Sequence, residues 1–350
     1  MSQAHGYAAY APQAPLQPIS FERREPRADD VAITIDYCGV CHTDIHFANN
    51  DWGMTMYPVV PGHEIVGRVT AVGSEVSGFA VGDVVGVGCM VDSCRHCQAC
   101  EDGLEQYCDA GPTLTYNGQD RHDGSVTYGG YSDQVVVSER FVVRVPAQLD
   151  AAKAAPLLCA GITTYSPLRH YVVKAGHRVG VVGMGGLGHM GIKFAKALGA
   201  EVTVFTRSTN KVEEARKQGA HYVVVSSDED QMAAMAGQLD YVLDTVPVQH
   251  DLNPYLAALR YDGVHILVGL LEPLETPLDA GALVFQRRVL AGSLIGGMPE
   301  TQEVLDFCAE HGITCDTEML DIRNINDAYE RVKKGDVKYR FVIDMATLKS

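Results

Sequence analysis

Nine residues, Cys38-Gly39-Val40-Cys41-His42-Thr43-Asp44-Ile45-His46, hold two thiols, two imidazoles, a hydroxyl and a carboxylate. Soft and titratable side chains at that density can bind a metal, exchange electrons or relay protons. The Cys-x-x-Cys spacing by itself fits a redox pair, half of a metal site, or two buried structural thiols. A second concentration is more specific. Cys94, Cys97, Cys100 and Cys108 recur at short intervals in a polar run that also carries Asp92, Arg95, His96, Gln98, Glu101 and Asp102. Four thiolates so spaced can wrap one tetrahedral Zn²⁺ on a short lobe. An iron–sulfur cluster takes the same four ligands and is the competing reading. A redox pair needs only two cysteines, and buried unliganded thiols do not suit so polar a run. A closed four-cysteine shell leaves no open position, so the lobe is expected to hold a structural zinc that does no chemistry. His96 and Asp92 read as solvated rather than ligating.

A third signal is Gly183-Met184-Gly185-Gly186-Leu187-Gly188. It joins a strand-like run over 177–183 to a helix-like run over 187–198, the context in which GxGxxG cradles a dinucleotide. Gly183 permits the tight turn, Gly185 lets the backbone approach a pyrophosphate, and Gly188 lets the helix pack close to the strand. The helix N-terminus offers free N–H groups and partial positive charge to the phosphates. The next strand ends in Thr206-Arg207-Ser208-Thr209-Asn210-Lys211. An NAD site wants an acidic residue there for the ribose hydroxyls. This stretch has none. Arg207 and Lys211 attract a 2′-phosphate, and the hydroxyls of Thr206 and Ser208 hydrogen-bond it, so NADP(H) is the expected cofactor. Asp244 lies on a later strand and cannot take the ribose role.

These groups must be positioned by 350 residues, more than one hydrophobic core usually covers, so two domains are expected. The formal charge of −16 argues against a nucleic-acid partner and against an anionic membrane surface. The start of the chain lacks a signal-peptide pattern and no apolar run reaches membrane-spanning length, so a cytoplasmic protein is expected. Ten cysteines in such a chain read as metal ligands rather than disulfides. Residues 1–20 carry little signal. Val-rich runs over 31–37, 64–76, 82–88 and 131–138 read as short strands of a β-rich domain spanning 1–150. Residues 109–130 form a long polar, Gly-rich loop. Beyond 151, strand-like runs over 177–183, 201–206, 221–225, 241–246, 264–269 and 288–295 alternate with helix-like runs over 187–198, 210–218, 228–236 and 253–260. That alternation predicts a doubly wound parallel sheet over 151–295, and an α/β protein. A helix over 300–310 and a strand over 340–343 follow. Because the six-strand sheet is already complete, 296–350 is expected to rejoin the first domain.

Taken together, the motifs resemble the zinc-containing medium-chain alcohol dehydrogenases, and within them the cinnamyl alcohol dehydrogenase group, over nearly the whole length. The residues that carry the resemblance are Gly39-Val40-Cys41-His42-Thr43-Asp44, Gly62-His63-Glu64, the four-cysteine lobe, Pro156-Leu157-Leu158-Cys159-Ala160-Gly161, the turn from Gly183 to Gly188, Ser293-Leu294-Ile295-Gly296-Gly297 and Tyr339-Arg340-Phe341. The stretch from Cys159 through Thr163-Thr164-Tyr165-Ser166-Pro167-Leu168 is similar to bacterial broad-range NADP-dependent aldehyde reductases of this group. The resemblance implies a GroES-like catalytic domain beside a Rossmann domain, with two zinc ions per chain. It implies Cys41, His63 and Cys159 as ligands of a catalytic zinc, Glu64 behind the metal as a transient ligand, and Thr43 and His46 as a proton relay. Two thiolates and one neutral imidazole would cancel the ion's charge and leave a fourth position open to an aldehyde or alcohol oxygen. Implied cofactor contacts are Gly183, Gly185, Gly186, Leu187, Gly188, Thr206, Arg207, Ser208, Lys211, Thr245, Val268, Ser293, Ile295 and Arg340. His42 either faces the pyrophosphate or is solvated. Trp52, Cys89 and Leu114, with Leu270 and Leu271, fall where the family lines its substrate cleft, although Trp52 can equally be a core residue. Leu114 stands where plant members often carry tryptophan. A roomier apolar pocket suits varied aromatic and medium aliphatic aldehydes. Homodimers are common in the group and are the expected assembly.

The expected function is therefore a zinc-dependent NADP(H) alcohol dehydrogenase acting mainly as an aldehyde reductase. The runner-up is a polyol or secondary-alcohol dehydrogenase of the same superfamily. Those often use a carboxylate as third zinc ligand, where this chain has Cys159. A non-catalytic zinc- and nucleotide-binding relative would show a broken catalytic set, whereas every element is present here. Cys38 drops out of the motif as a buried thiol.

Overall fold

Strand Asp30–Gly39 alternates small polar and β-branched side chains, and this alternation places it in the middle of a seven-stranded sheet. In the computed structural model, which describes residues 2–269 and 273–349, the sheet runs Thr317–Asp321, Arg340–Asp344, Asp30–Gly39, Ile65–Val72, Val84–Val87, Val143–Arg144. Gln134–Ser138 pairs alongside Asp30–Gly39. The pairing is antiparallel except between the first two strands. Buried Val31, Ile33, Ile35, Val66, Val85 and Leu158 form part of its core. Leu270 and Leu271 lie outside the described residues.

The chain divides into two compact units, residues 1–162 with 296–350, and residues 163–295. The first boundary lies at 162 instead of the expected 150. The reason is packing: Ala151–Ala154 and Ala155–Leu158 are helical turns with buried apolar faces, laid on the seven-stranded sheet. Cys159 therefore belongs to the first unit. The strand Arg340–Asp344 joins Asp30–Gly39, with Ile343 opposite Cys38, so the tail does return to the sheet of the first unit.

In the second unit six strands, Arg178–Val182, Glu201–Thr206, Tyr222–Val225, Leu239–Asp244, Leu259–Leu267 and Val289–Gly292, pair in parallel throughout. Their spatial order is third, second, first, fourth, fifth, sixth. The order reverses between the first and fourth strands, the switch point at whose carboxyl ends dinucleotides bind. Gly183 turns the chain there with a φ of +87°. A side chain on Gly188 would run into the Gly183 carbonyl, so this glycine lets helix Gly188–Ala197 start against the strand. Among the described residues, its chain neighbours aside, nothing lies within 4 Å of where a Gly185 side chain would begin.

Three further differences from the sequence expectation concern local elements. Ser2–Ala8 and Gln17–Arg23 form an antiparallel hairpin in a segment poor in β-branched residues. It is tied down by the buried Arg23, which donates to the carbonyls of Gln134, Tyr128 and Gly129. The helix expected through 260 ends at Ala258, because Leu259 already pairs with Leu239. His42–Asn49, to which the sequence patterns assign no helix, is a helix. Among the described residues no helix is long and apolar enough to cross a membrane.

Replacing Gly188 by valine should cost about 1–3 kcal/mol of stability by overpacking. Urea unfolding of the purified protein tests this, and an unchanged midpoint would contradict the close helix–strand contact.

Candidate active site

Two strand ends and one helical turn deliver the catalytic candidates to one place in the first unit. Asp30–Gly39 ends at the Cys-x-x-Cys stretch, and Cys41 is the N-cap of helix His42–Asn49. His63 and Glu64 immediately precede strand Ile65–Val72, whose first residue pairs with Cys38. Cys159 follows the turn Ala155–Leu158. The ligand atoms of Cys41, His63, Glu64 and Cys159 all lie within 4.8 Å of one another, and all four residues are buried. Cys41 Sγ is 3.9 Å from Cys159 Sγ, and His63 Nε2 is 3.3 Å from Cys159 Sγ. A zinc–sulfur bond near 2.3 Å puts two sulfurs of a tetrahedron about 3.8 Å apart, so this spacing fits Zn²⁺.

Asp44 organises the group, and sequence reasoning gave it no role. It is fully buried. Its Oδ1 lies 3.1 Å from His63 Nδ1 and accepts from Gly62 N–H at 3.1 Å. Its Oδ2 accepts from Cys41 N–H at 2.8 Å and from the Tyr131 hydroxyl at 3.2 Å. The Cys41 contact is half of a capping box, which uses an acidic residue at the third helical position. The His63 contact fixes the Nδ1–H tautomer and turns Nε2 toward the sulfurs, as an outer carboxylate does for metal-bound histidines. A Cys followed three residues later by an acid at a helix start was the available signal.

Glu64 is held from the other side. Its Oε1 accepts from Arg340 Nη2 at 2.7 Å, while Oε2 is buried with no hydrogen-bond partner among the described residues. Gly39 makes room for it, since a side chain there would run into Oε2. Burial pushes the Glu64 carboxyl up to about 8, against the pull of Arg340. A metal cation beside the free Oε2 would remove that penalty, so the orphaned oxygen supports the fit. Arg340 was expected at the cofactor phosphates, and its Nη2 is committed to Glu64.

The helix His42–Asn49 also explains Thr43 and His46. Three residues apart, they share one helix face. His46 Nδ1 lies 2.7 Å from Asp51 Oδ2, and both side chains are partly exposed. Asp51 is a second residue that sequence reasoning missed. The Trp52 ring lies 5.0 Å from His46 and 5.0 Å from Phe47. Cys89 interacts with Cys159, which draws its thiol down. Leu114 sits opposite Met90 on the short sheet beside it, half-buried. His42 is half-buried, 5.4 Å from the His46 ring.

Cys94, Cys97, Cys100 and Cys108 also converge within ligand range. Cys94 and Cys100 sulfurs are 3.9 Å apart, and Cys97 and Cys100 sulfurs 3.5 Å apart. Backbone N–H groups of Cys94 and Cys97 donate to the sulfurs of Cys108 and Cys94. Such donors stabilise thiolates, and the set fits a second tetrahedral zinc.

In the second unit the cofactor candidates share one rim. Thr206 ends the second strand and Arg207 and Ser208 follow it, while Thr245, Val268 and Ser293 follow the fourth, fifth and sixth. Ile295 closes that series. Arg207 and Ser208 are exposed, and neither Arg207 nor Lys211 meets a carboxylate among the described residues. Gly186 and Leu187 complete the turn before helix Gly188–Ala197.

Asp44→Asn should weaken zinc binding by roughly 10–100-fold, since the outer carboxylate would be lost. Competition with a chelator measures this, and wild-type affinity would refute the role. Cys100→Ser should lower the metal content from two zincs to one per chain, read by elemental analysis.

Residues 27–147 match the alcohol dehydrogenase GroES-like domain and residues 186–310 the zinc-binding dehydrogenase domain. The aldehyde reductase YahK of Escherichia coli is 55% identical over 342 residues, 97% of either chain. A cinnamyl alcohol dehydrogenase of Sorghum bicolor superposes with a TM-score of 0.95 at 49% identity, covering 99% of this chain and 98% of its own. The cinnamyl alcohol dehydrogenase of Helicobacter pylori, solved with NADP(H), gives 0.91 at 41% identity over 98% of each chain. With its two clusters of metal ligands and its six-stranded dinucleotide sheet, the chain belongs to the zinc-containing medium-chain alcohol dehydrogenases, in the cinnamyl alcohol dehydrogenase group.

Proposed function

We propose that this protein reduces aromatic and aliphatic aldehydes to alcohols with NADPH, reversibly. The observation that carries the reading is the Cys41–His63–Cys159 donor set, at tetrahedral spacing and with Asp44 behind His63. Cys41, His63 and Cys159 would hold a zinc ion that supplies Lewis acidity toward a carbonyl oxygen, and NADPH bound at the second unit would supply the hydride. The chain's own residues handle the proton that completes the alcohol. Thr43 and His46 share a helix face, so a proton can pass outward along it. His46 suits the last step because imidazole changes charge near neutral pH and its ring is partly exposed. Asp51, on Nδ1, holds that ring in place and leaves Nε2 as the other proton site. Trp52, Cys89 and Leu114 are assigned to the aldehyde's apolar part.

The carboxylate-free strand end with Arg207, Ser208 and Lys211 supports NADP(H) over NAD(H). Thr245, Val268, Ser293 and Ile295 line the same rim and are assigned to the cofactor, as is Arg340. Ten cysteines, none of them in a disulfide among the described residues, support a reducing, cytoplasmic setting. A homodimer is supported by the sixth strand, Val289–Gly292, which lies at the sheet edge. Beside it Val284 and Phe285 are 74% and 84% exposed, an apolar edge that a second copy would cover.

NADPH oxidation on adding benzaldehyde or cinnamaldehyde tests the activity. Turnover should be much faster with NADPH than NADH, Cys41→Ala should abolish it, and His46→Ala and Asp51→Asn should slow it by roughly 10–1,000-fold. A protein that oxidised sugar alcohols but ignored aldehydes would instead support the polyol reading. For the assembly, Phe285→Asp combined with Val289→Lys should give a monomer by light scattering. A variant that kept twice the chain mass would exclude this face.

A further inference from the structure

We propose that Asp244, His250 and His265 form a positioning network for the cofactor, holding segment 245–250 against the glycine turn so that NADP(H) meets a preset crevice. The proposal rests on the NADP(H) reading above and adds three residues that neither the motifs nor the mechanism absorbs.

Asp244 ends the fourth strand, next to the switch point, and is fully buried. Its Oδ2 lies 2.8 Å from His250 Nε2 and 3.1 Å from His265 Nε2. Its Oδ1 accepts from Val246 N–H at 3.1 Å. The segment so anchored touches the glycine turn directly. Thr245 Oγ1 donates to Val182 O at 2.7 Å. A side chain on Gly183 would meet Thr245 Oγ1 and Val246 Cγ2, both at 3.1 Å. On the other side, a side chain on Gly269 would meet Val246 O at 2.6 Å. The segment therefore fills the space between the turn and the end of the fifth strand.

The hydrogen bonds also set the charge. His250 Nδ1 lies 2.8 Å from Val248 O, so both ring nitrogens face acceptors. Only an imidazolium, with two N–H donors, satisfies both. His265 has Nε2 on the carboxylate and a buried Nδ1 with no hydrogen-bond partner among the described residues, which suits the neutral ring. One carboxylate and one imidazolium cancel. A bare Asp244 at this rim would repel the cofactor's phosphates, and the paired one does not. The Asp244 hydrogen bond raises the His250 pKa, while burial opposes it. The other groups facing the pair are Asp251 on the same loop, Tyr255 on helix Asn253–Ala258 with its ring 5.9 Å from His250, and Arg207, which acts on Tyr255. Burial raises the Tyr255 phenol, which stays neutral. A raised His250 pKa means that the imidazolium is present below it and is lost as pH rises through it. Cofactor affinity should therefore weaken on the alkaline side.

The test is titration of the zinc-loaded protein with NADPH, and in parallel with NADH, by cofactor fluorescence without aldehyde. His250→Leu should raise the Kd about tenfold, equivalent to about 1.4 kcal/mol, with the kinetic change falling on KM rather than on kcat. His250→Gln, which can keep an N–H on Asp244, should recover part of the loss and lack the alkaline rise in Kd seen in wild type. Unchanged Kd in both variants, or the same alkaline rise in His250→Gln, would overturn the network. If wild type bound NADH and not NADPH, the cofactor reading would fall, and the network would be judged on the NADH titration.

Discussion

The buried carboxylate of Asp44 is the contact on which the catalytic half depends. It accepts from a helix N-cap, from a glycine N–H before a strand, from a tyrosine hydroxyl and from a ligand imidazole. These donors come from segments far apart in the chain. Without Asp44, the Cys41 and Gly62 amides would be left unpaired in the interior, at about 1–3 kcal/mol each. Local folding of helix His42–Asn49 and presentation of His63 to a metal are therefore one event, because the cap and the outer support are the same two oxygens.

Three fully buried acids, Asp44, Glu64 and Asp244, solve the same problem in different ways. Asp44 takes dipolar donors, Glu64 takes the Arg340 guanidinium on one oxygen and leaves the other free, and Asp244 takes two imidazoles. The differences follow from what each must face. Asp44 is closed and orients. Glu64 keeps a lone oxygen toward the metal ligands. Asp244 is neutralised at a rim built for phosphates. A buried charge is tolerated only when paired or fully hydrogen-bonded, so each pattern reports the chemistry next to it.

The parallel sheet was legible because most of its strands are short Val-rich runs, the first closed by the glycine turn at Gly183, and because strand and helix periods alternate regularly. The metal ligands were legible as cysteine and histidine spacing joined to a family resemblance. The hairpin Ser2–Ala8 with Gln17–Arg23 was not, since its pairing is fixed by a buried arginine reaching the carbonyls of 128, 129 and 134, and no local pattern encodes that. Helix His42–Asn49 was hidden because its residues are chosen for chemistry, with polar groups on buried and exposed faces alike. Asp51, and the contact of Arg340 with Glu64, were missed for a related reason. A residue that works through another side chain leaves no spacing rule, only a distance in the folded chain.

The Cys-x-x-Cys stretch shows how backbone direction decides between readings that spacing leaves open. Cys38 lies inside a strand, opposite Ile65 and Ile343, with its sulfur beneath Gly62 and Gly130. Burial pushes its thiol well up, so it stays protonated and inert. Cys41 lies beyond the strand end, in extended conformation at the head of a helix, and its sulfur meets Cys159 from a turn more than a hundred residues later. The strand-to-helix transition between the two cysteines commits one to the sheet's interior and the other to the ligand cluster. A redox pair would need both sulfurs on one side of that transition. Here the same three-residue spacing separates a packing residue from a metal ligand, and the separation is enforced by the Asp44 cap that starts the helix.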